Sequence, residues 1–112
     1  MNRISLPHHR LDVYRLAIDL VRLVASIRIG DAKCREEARK SAASAARNIA
    51  EGAGRFSAAD KSRVYAIARG ECVECIASVE IAGALGQCAA DDVARVTQLG
   101  GRVSAMLSRL VH

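Results

Sequence analysis

Apolar residues recur at alternating intervals of three and four along almost the whole chain, the spacing that gathers them on one face of an α-helix. A first helix is predicted over residues 11–29. It has two adjacent apolar seams, one of Leu11, Tyr14, Ile18, Val21 and Ala25 and one of Ala17, Leu20, Val24 and Ile27. Leu16 and Leu23 widen that surface, while Asp12, Arg15, Asp19, Arg22 and Ser26 give it polar relief. Gly30 ends the segment and Asp31 is a good N-cap for a second helix over residues 32–52. Its seam is Ala38, Ala42, Ala45, Ile49 and Gly52, and Ala43, Ala46, Ala50 and Ala53 make another face small. A third helix over residues 58–85 repeats the spacing with Tyr65, Ala68, Cys72, Cys75, Val79 and Ala82. A fourth, over residues 90–111, does so with Val96, Leu99, Val103, Met106 and Leu110, and carries Val93, Leu107 and Val111 beside that seam.

No strand-like alternation, linker, low-complexity segment or internal repeat interrupts this pattern. Four helices with short connections predict an all-α, antiparallel up-down-up-down four-helix bundle, a single domain over residues 1–112. Helix 2, small on two sides, is expected to be central. Helices 1 and 4 carry more apolar surface than one core of this size absorbs, which predicts self-association.

Between helices 2 and 3 the chain reads Asn48-Ile49-Ala50-Glu51-Gly52, then Gly54, Arg55 and Ser57. Gly52 and Gly54 tolerate positive φ and predict a helix end, and Ser57 predicts the next N-cap, with Asp60 placed as in a capping box. This turn resembles the signature of the bacterial four helix bundle protein family, named after 23S rRNA intervening sequences. Leu11, Val13, Tyr14 and Ala17 resemble that family's opening on helix 1. Ala68-Arg69-Gly70 with Glu74, and Ile81-Ala82 through Leu85-Gly86, resemble its helix 3. The chain departs from the family at Ala46, where a proline is usual, which removes a cause of kinking. It departs also at Cys34, Glu71 and Cys72, where Leu, Ser and Leu are common. The resemblance implies a cyclic homopentamer and RNA-associated contexts. One branch similar to the family serves diversity-generating retroelements, binding nucleic acid and a reverse transcriptase.

Apolar residues make up 51% of the 112, but aromatics only 3%, with no Trp, so the core must be built from Ala, Leu, Ile and Val. The only proline, Pro7, precedes the helices. Residues 1–12 hold no apolar stretch of the kind a secretory signal needs, and the longest uncharged run, residues 81–90, is far below the roughly 18 residues a membrane span requires. The expectation is a cytoplasmic protein without a membrane partner, its four cysteines reduced.

Candidate chemistry is sparse. Cys72-x-x-Cys75 lies on the helix 3 seam, and Cys34 and Cys88 stand apart from it, so core packing is preferred to a zinc site. His8 and His9, beside Pro7, and the terminal His112 are given no role. Glu51, Glu71, Glu74 and Glu80 lack the Glu-x-x-His pairs of a di-metal bundle. Glu51 is expected to pair with Arg69 and Asn48 to satisfy the turn backbone. No metal, cofactor or catalytic set is predicted, hence no enzyme.

Net charge is +5, and its cations are patterned. Arg95, Arg102 and Arg109 recur every seven residues on helix 4, Arg15 and Arg22 do so on helix 1, and Lys40 and Arg47 belong to a cluster on helix 2. Repeated around an oligomer, these stripes would hold RNA or DNA by its phosphates. Lack of aromatics for stacking predicts weak sequence preference. The sequence-based expectation is a non-catalytic homo-oligomeric scaffold for nucleic acid; the alternative is a protein-binding adaptor whose arginines pair with subunit carboxylates.

Overall fold

In a computed structural model the chain is described over residues 4–111, and among these the predicted periodicities fold as helices with no strand. A 3-10 segment, Pro7–Arg10, leads into α1 (Asp12–Ser26), α2 (Ala32–Gly54), α3 (Ala58–Ala84) and α4 (Ala90–Leu110). α1 and α3 each lie beside both α2 and α4, while α1 stands diagonally across the bundle from α3 and α2 from α4. All four helices feed one core.

The predicted seams of α2 and α3 are buried at every position, from Ala38 to Gly52 and from Tyr65 to Ala82. On α1 the structure chooses between two equal candidates. Ala17, Leu20, Val24 and Ile27 are buried, whereas Leu11, Tyr14, Ile18 and Val21 are half-buried and Ala25 is exposed.

α1 also stops earlier than expected, at Ser26. Ile27 and Ile29 are both buried, at 6% and 3% exposure. Residues two apart cannot share a helix face but do share a face of extended chain, so the backbone leaves the helix at Ile27 to bury both. Gly30 follows, and its N–H donates to the Gln87 carbonyl at 2.8 Å, joining the α1–α2 connection to the α3–α4 connection. A Cβ on Gly30 would meet only the movable end of the Gln87 side chain, so the backbone bond, not the missing Cβ, is what this position contributes. Asp31 caps α2 as expected, accepting from the Cys34 N–H at 2.8 Å.

A positive-φ helix end at Gly52 or Gly54 does not form. α2 runs on to Gly54, and the positive-φ glycine among the described residues is Gly86, at 72°, closing α3. There the Gln87 N–H donates to Ala82 O at 2.8 Å and the Gly86 N–H to Gly83 O at 3.0 Å, the paired bonds of a Schellman end. Gly52 is needed for another reason. It is buried against Tyr65, and a Cβ placed on it would lie 2.8 Å from Cε1 of that ring and 2.9 Å from Cδ1. Here bare backbone of α2 lies directly against an aromatic ring of α3.

Gly52→Ala is expected to destabilise the fold by about 1–3 kcal/mol, because the buried ring must move off its rotamer. Gly101→Ala, at a helical position where an added Cβ meets nothing within 4 Å, is expected to stabilise by about 0.5–1 kcal/mol. Denaturant unfolding of both variants checks the opposed signs.

Candidate nucleic-acid interface

The seven cations singled out in the sequence fall on three sides of the molecule. On α4, Arg95 and Arg102 border a shallow recess of about 250 Å³ shared with Leu23 of α1 and Leu99. Arg109 borders a second, of about 320 Å³, formed by Leu11, Asp12, Val13, Met106 and Leu110, with Arg10 on its other edge. Four arginines thus follow the groove between α1 and α4. Arg15 and Arg22 project from the solvent side of α1, and Lys40 and Arg47 from that of α2, which stands diagonally across from α4. The structure therefore groups the α4 stripe but keeps the α2 pair apart from it.

These cations are not equally available. Arg15 lies 3.6 Å from Asp12, Arg22 3.4 Å from Asp19 and Arg95 3.2 Å from Asp92, each an exposed i,i+3 pair. Arg102, Arg109 and Arg47 carry no ion pair among the described residues. Arg10, also unpaired, belongs to the free set. Sequence reading missed it because it stands in a segment taken as a frayed helix start.

The Asn48–Gly52 turn is held together differently from expectation. Glu51 pairs with Arg55, not with Arg69, and the other arm of Arg55 reaches Asp60 at 3.3 Å. Arg63 shares Asp60 at 2.9 Å, so that carboxylate is held below its usual range, first by Arg63 and then by Arg55. Asp60 therefore does not complete a capping box, though its N–H donates to Ser57 Oγ at 3.1 Å. Lys61 Nζ closes the hairpin by donating to Ala53 O at 2.8 Å. Asn48 serves its own helix, donating to Ser44 O at 2.9 Å, and Arg69 donates to Ser108 Oγ on α4 at 2.7 Å. Glu51 and Arg69 fail to meet because each has a nearer partner within one turn or on the adjoining helix.

The unpartnered apolar surface lies elsewhere than predicted. On α1 and α4 the extra apolar residues, among them Leu16, Leu23, Leu99 and Met106, pack half-buried against the core. The exposed large apolar side chains are instead Ile67, Val73, Ile81 and Leu85 along α3, together with Ile4, Leu6 and the wholly exposed Phe56. Ala66, Gly70, Ala77 and Ala84 fall on the same outer side of α3 by helical spacing. A Cβ on Gly70 would meet nothing within 4 Å, so the bundle itself does not require that glycine.

The family model of the 23S rRNA-intervening sequence protein matches residues 9–109. The chain belongs to that family. A comparison with curated proteins finds no match.

In this intervening-sequence family member, Cys72 and Cys75 are core residues. Both are fully buried, Cys72 Sγ donates to Gly100 O at 3.2 Å, and burial pushes the two thiols up to about 11 and about 12. No group of three or more His, Cys, Asp or Glu side chains among the described residues is placed to hold a metal ion. His9 Nδ1 accepts from the Leu6 N–H at 3.0 Å, and His8 sets its ring edge-on to Tyr14 with centroids 4.6 Å apart, so both histidines brace the segment before α1. His112 lies outside the described residues. No helix among the described residues is long and apolar enough to cross a membrane.

One carboxyl is out of keeping with its surroundings. Glu74 is raised above the usual Glu value, first by the hydrogen bond it shares with Glu71 and by that residue's charge, with Glu37 adding and Lys40 opposing. A raised carboxyl weakens the folded state once ionised. The penalty is complete above the raised value and absent below the ordinary one, near 4.3. Glu74→Gln is therefore expected to raise the melting temperature at pH 7.5 and to confer no advantage near pH 3.5, as thermal melts at the two pH values will show.

Thiol labelling gives a second check. Half-buried Cys34 and Cys88 are expected to react first in the native protein, with Cys72 and Cys75 silent until denaturant is added. Four thiols reacting at one rate in native buffer would contradict the core assignment.

Proposed function

We propose that this chain is a non-catalytic subunit of a homo-oligomeric scaffold that holds nucleic acid by its backbone phosphates. The observation that carries the reading is the division of the surface: an unpartnered apolar side on α3 and a row of arginines along the α1–α4 groove. Pairs such as Gly52 with Tyr65, Gly83 with Val93 and Gly100 with Ile76 support an antiparallel, up-down-up-down course for the helices.

Area supports a subunit role. A folded monomer of this mass exposes about 5,900 Å², whereas this chain exposes 6752 Å². The flattened outline of 44 × 37 × 20 Å accounts for part of the difference. A stable interface covers ~800 Å² per partner. The α3 side is the surface assigned to that contact, since Gly70 and its small neighbours admit close helix approach. A ring follows when the two contacting faces of each copy differ and their rotation closes, and five copies is the number the family resemblance implies.

Arginines with nothing to stack on a base read phosphate, so binding through the groove is weakly sequence-specific and depends steeply on salt. An adaptor that binds protein alone would keep the oligomer and lose this dependence.

Light scattering in solution is expected to give a multiple of 11.9 kDa, and Ile81→Glu, at an exposed position, to lower that mass without unfolding the chain. Val24→Glu would not serve, because Val24 is fully buried in the bundle's own core. Duplex RNA titrated at two salt concentrations is expected to bind, more weakly at the higher, and to lose further affinity on charge reversal of Arg102 and Arg109 with the mass unchanged. A monomer refutes the scaffold. An oligomer that binds no RNA at low salt is the adaptor.

A further inference from the structure

A second recess lies at one end of the bundle, where the segment before α1 meets the α2–α3 hairpin. It measures about 380 Å³ and is lined by Ser5, Arg10, Ala53, Lys61 and Tyr65 among others, with no carboxylate on its wall. Arg10 is unpaired, and Lys61 spends one of its ammonium protons on Ala53 O. Of the acids close by in sequence, Glu51 pairs with Arg55, Asp60 with Arg55 and Arg63, and Asp12, which lines the adjoining recess, lies 3.6 Å from Arg15. Two cations facing an open pocket without a counter-charge form a site for a phosphate group.

The chain that passes from Ala53 to Lys61, both on the wall of this recess, carries Phe56 at its turn. Phe56 is wholly exposed, at 102% of its reference area, and makes no contact with the core. An aromatic ring held in water gains nothing from folding and is available to a partner. Ring and recess together match the two requirements of single-strand recognition, an aromatic face for a base and cations for the adjoining phosphate.

We infer that this end of the bundle binds single-stranded nucleic acid, with an unpaired base stacked on Phe56 and its phosphate held by Arg10 and Lys61. The inference shares its ligand class, and the one cation Arg10, with the scaffold reading, but Phe56 and Lys61 lie outside the row of Arg102 and Arg109 on which that reading is tested. A duplex cannot use the site, because its bases are already stacked.

The test compares an oligouridine of about ten nucleotides, a length within the usual single-strand site size, with an RNA duplex of equal length, both followed by fluorescence anisotropy on the full chain. Phe56→Ala is expected to weaken single-strand binding about 5- to 100-fold, the loss that removing one stacking ring produces, and to leave duplex binding unchanged. Phe56→Trp should restore it, and Arg10→Gln should flatten its salt dependence. Lys61→Gln is read alongside a melting curve because Lys61 also closes the hairpin. An unchanged single-strand affinity in Phe56→Ala overturns the site while leaving the groove reading intact. So does a fall in oligomeric mass in that variant, which would make Phe56 a subunit contact. Binding of neither RNA at low salt overturns both readings, and binding of the duplex alone overturns this one.

Discussion

The close approach of α2 to α3 is the constraint on which the rest of the bundle depends. Ala38, Ala42, Ala45, Ala46 and Gly52 face Tyr65, Ala68, Cys72 and Cys75, and all of them are buried. Small side chains supply little apolar area each, so this interface is stable only if the backbones come near enough to exclude water along its length. Gly52 under the Tyr65 ring is one such point, where even a methyl group would collide. Cysteine suits the opposite side of α3's seam for the same reason. It is small, apolar and kept neutral by burial, and Cys72 even spends its thiol proton on a carbonyl of α4.

That tight pair has a geometric consequence. α3 is committed to α2 on one side and to α4 on the other, and among the described residues no further element packs on its third side. Its polar residues, including Arg69, Glu71, Glu74, Ser78 and Glu80, are spread around the helix instead of being collected on the outer face. Isoleucine, valine and leucine consequently stand in solvent beside alanine and glycine. An apolar helix of this length, left open on one flank, is the surface on which the proposed subunit contact rests.

Much of the fold was legible in the sequence because helix periodicity and caps are local signals. Asp31 and Ser57 set the starts of α2 and α3 by accepting backbone N–H groups three residues on, a pattern that sequence spacing alone reveals. What escaped was set by tertiary packing. Both seams of α1 are apolar, and only packing against the neighbouring helices selects the one containing Ala17. Ile27 and Ile29 carried a period-2 signal, but two residues are too few to outweigh the helical run before them. The apolar excess was placed on α1 and α4 because those helices have wide stripes, whereas the exposed surface lies on α3, which has no polar face to contrast with. Phe56 and Arg10 were passed over for a different reason. Neither takes part in a periodicity, yet an aromatic in a turn with no apolar partner was itself the signal.

The arginine stripes show how a seven-residue repeat can conceal two kinds of site. Arg15, Arg22 and Arg95 each follow an aspartate by three residues, at Asp12, Asp19 and Asp92, and the structure pairs all three. Arg102 and Arg109 follow Leu99 and Met106 at the same interval, and these two line the recesses between α1 and α4. Exposed pairs of this kind hold at most about 1 kcal/mol, so the paired arginines are not lost to a phosphate, but each must first release its own carboxylate. Arg102 and Arg109 have no carboxylate of their own to release, although Asp12 shares the recess of Arg109. The residue three positions before each arginine, more than the repeat itself, therefore decides which arginines of the stripe carry an ion pair.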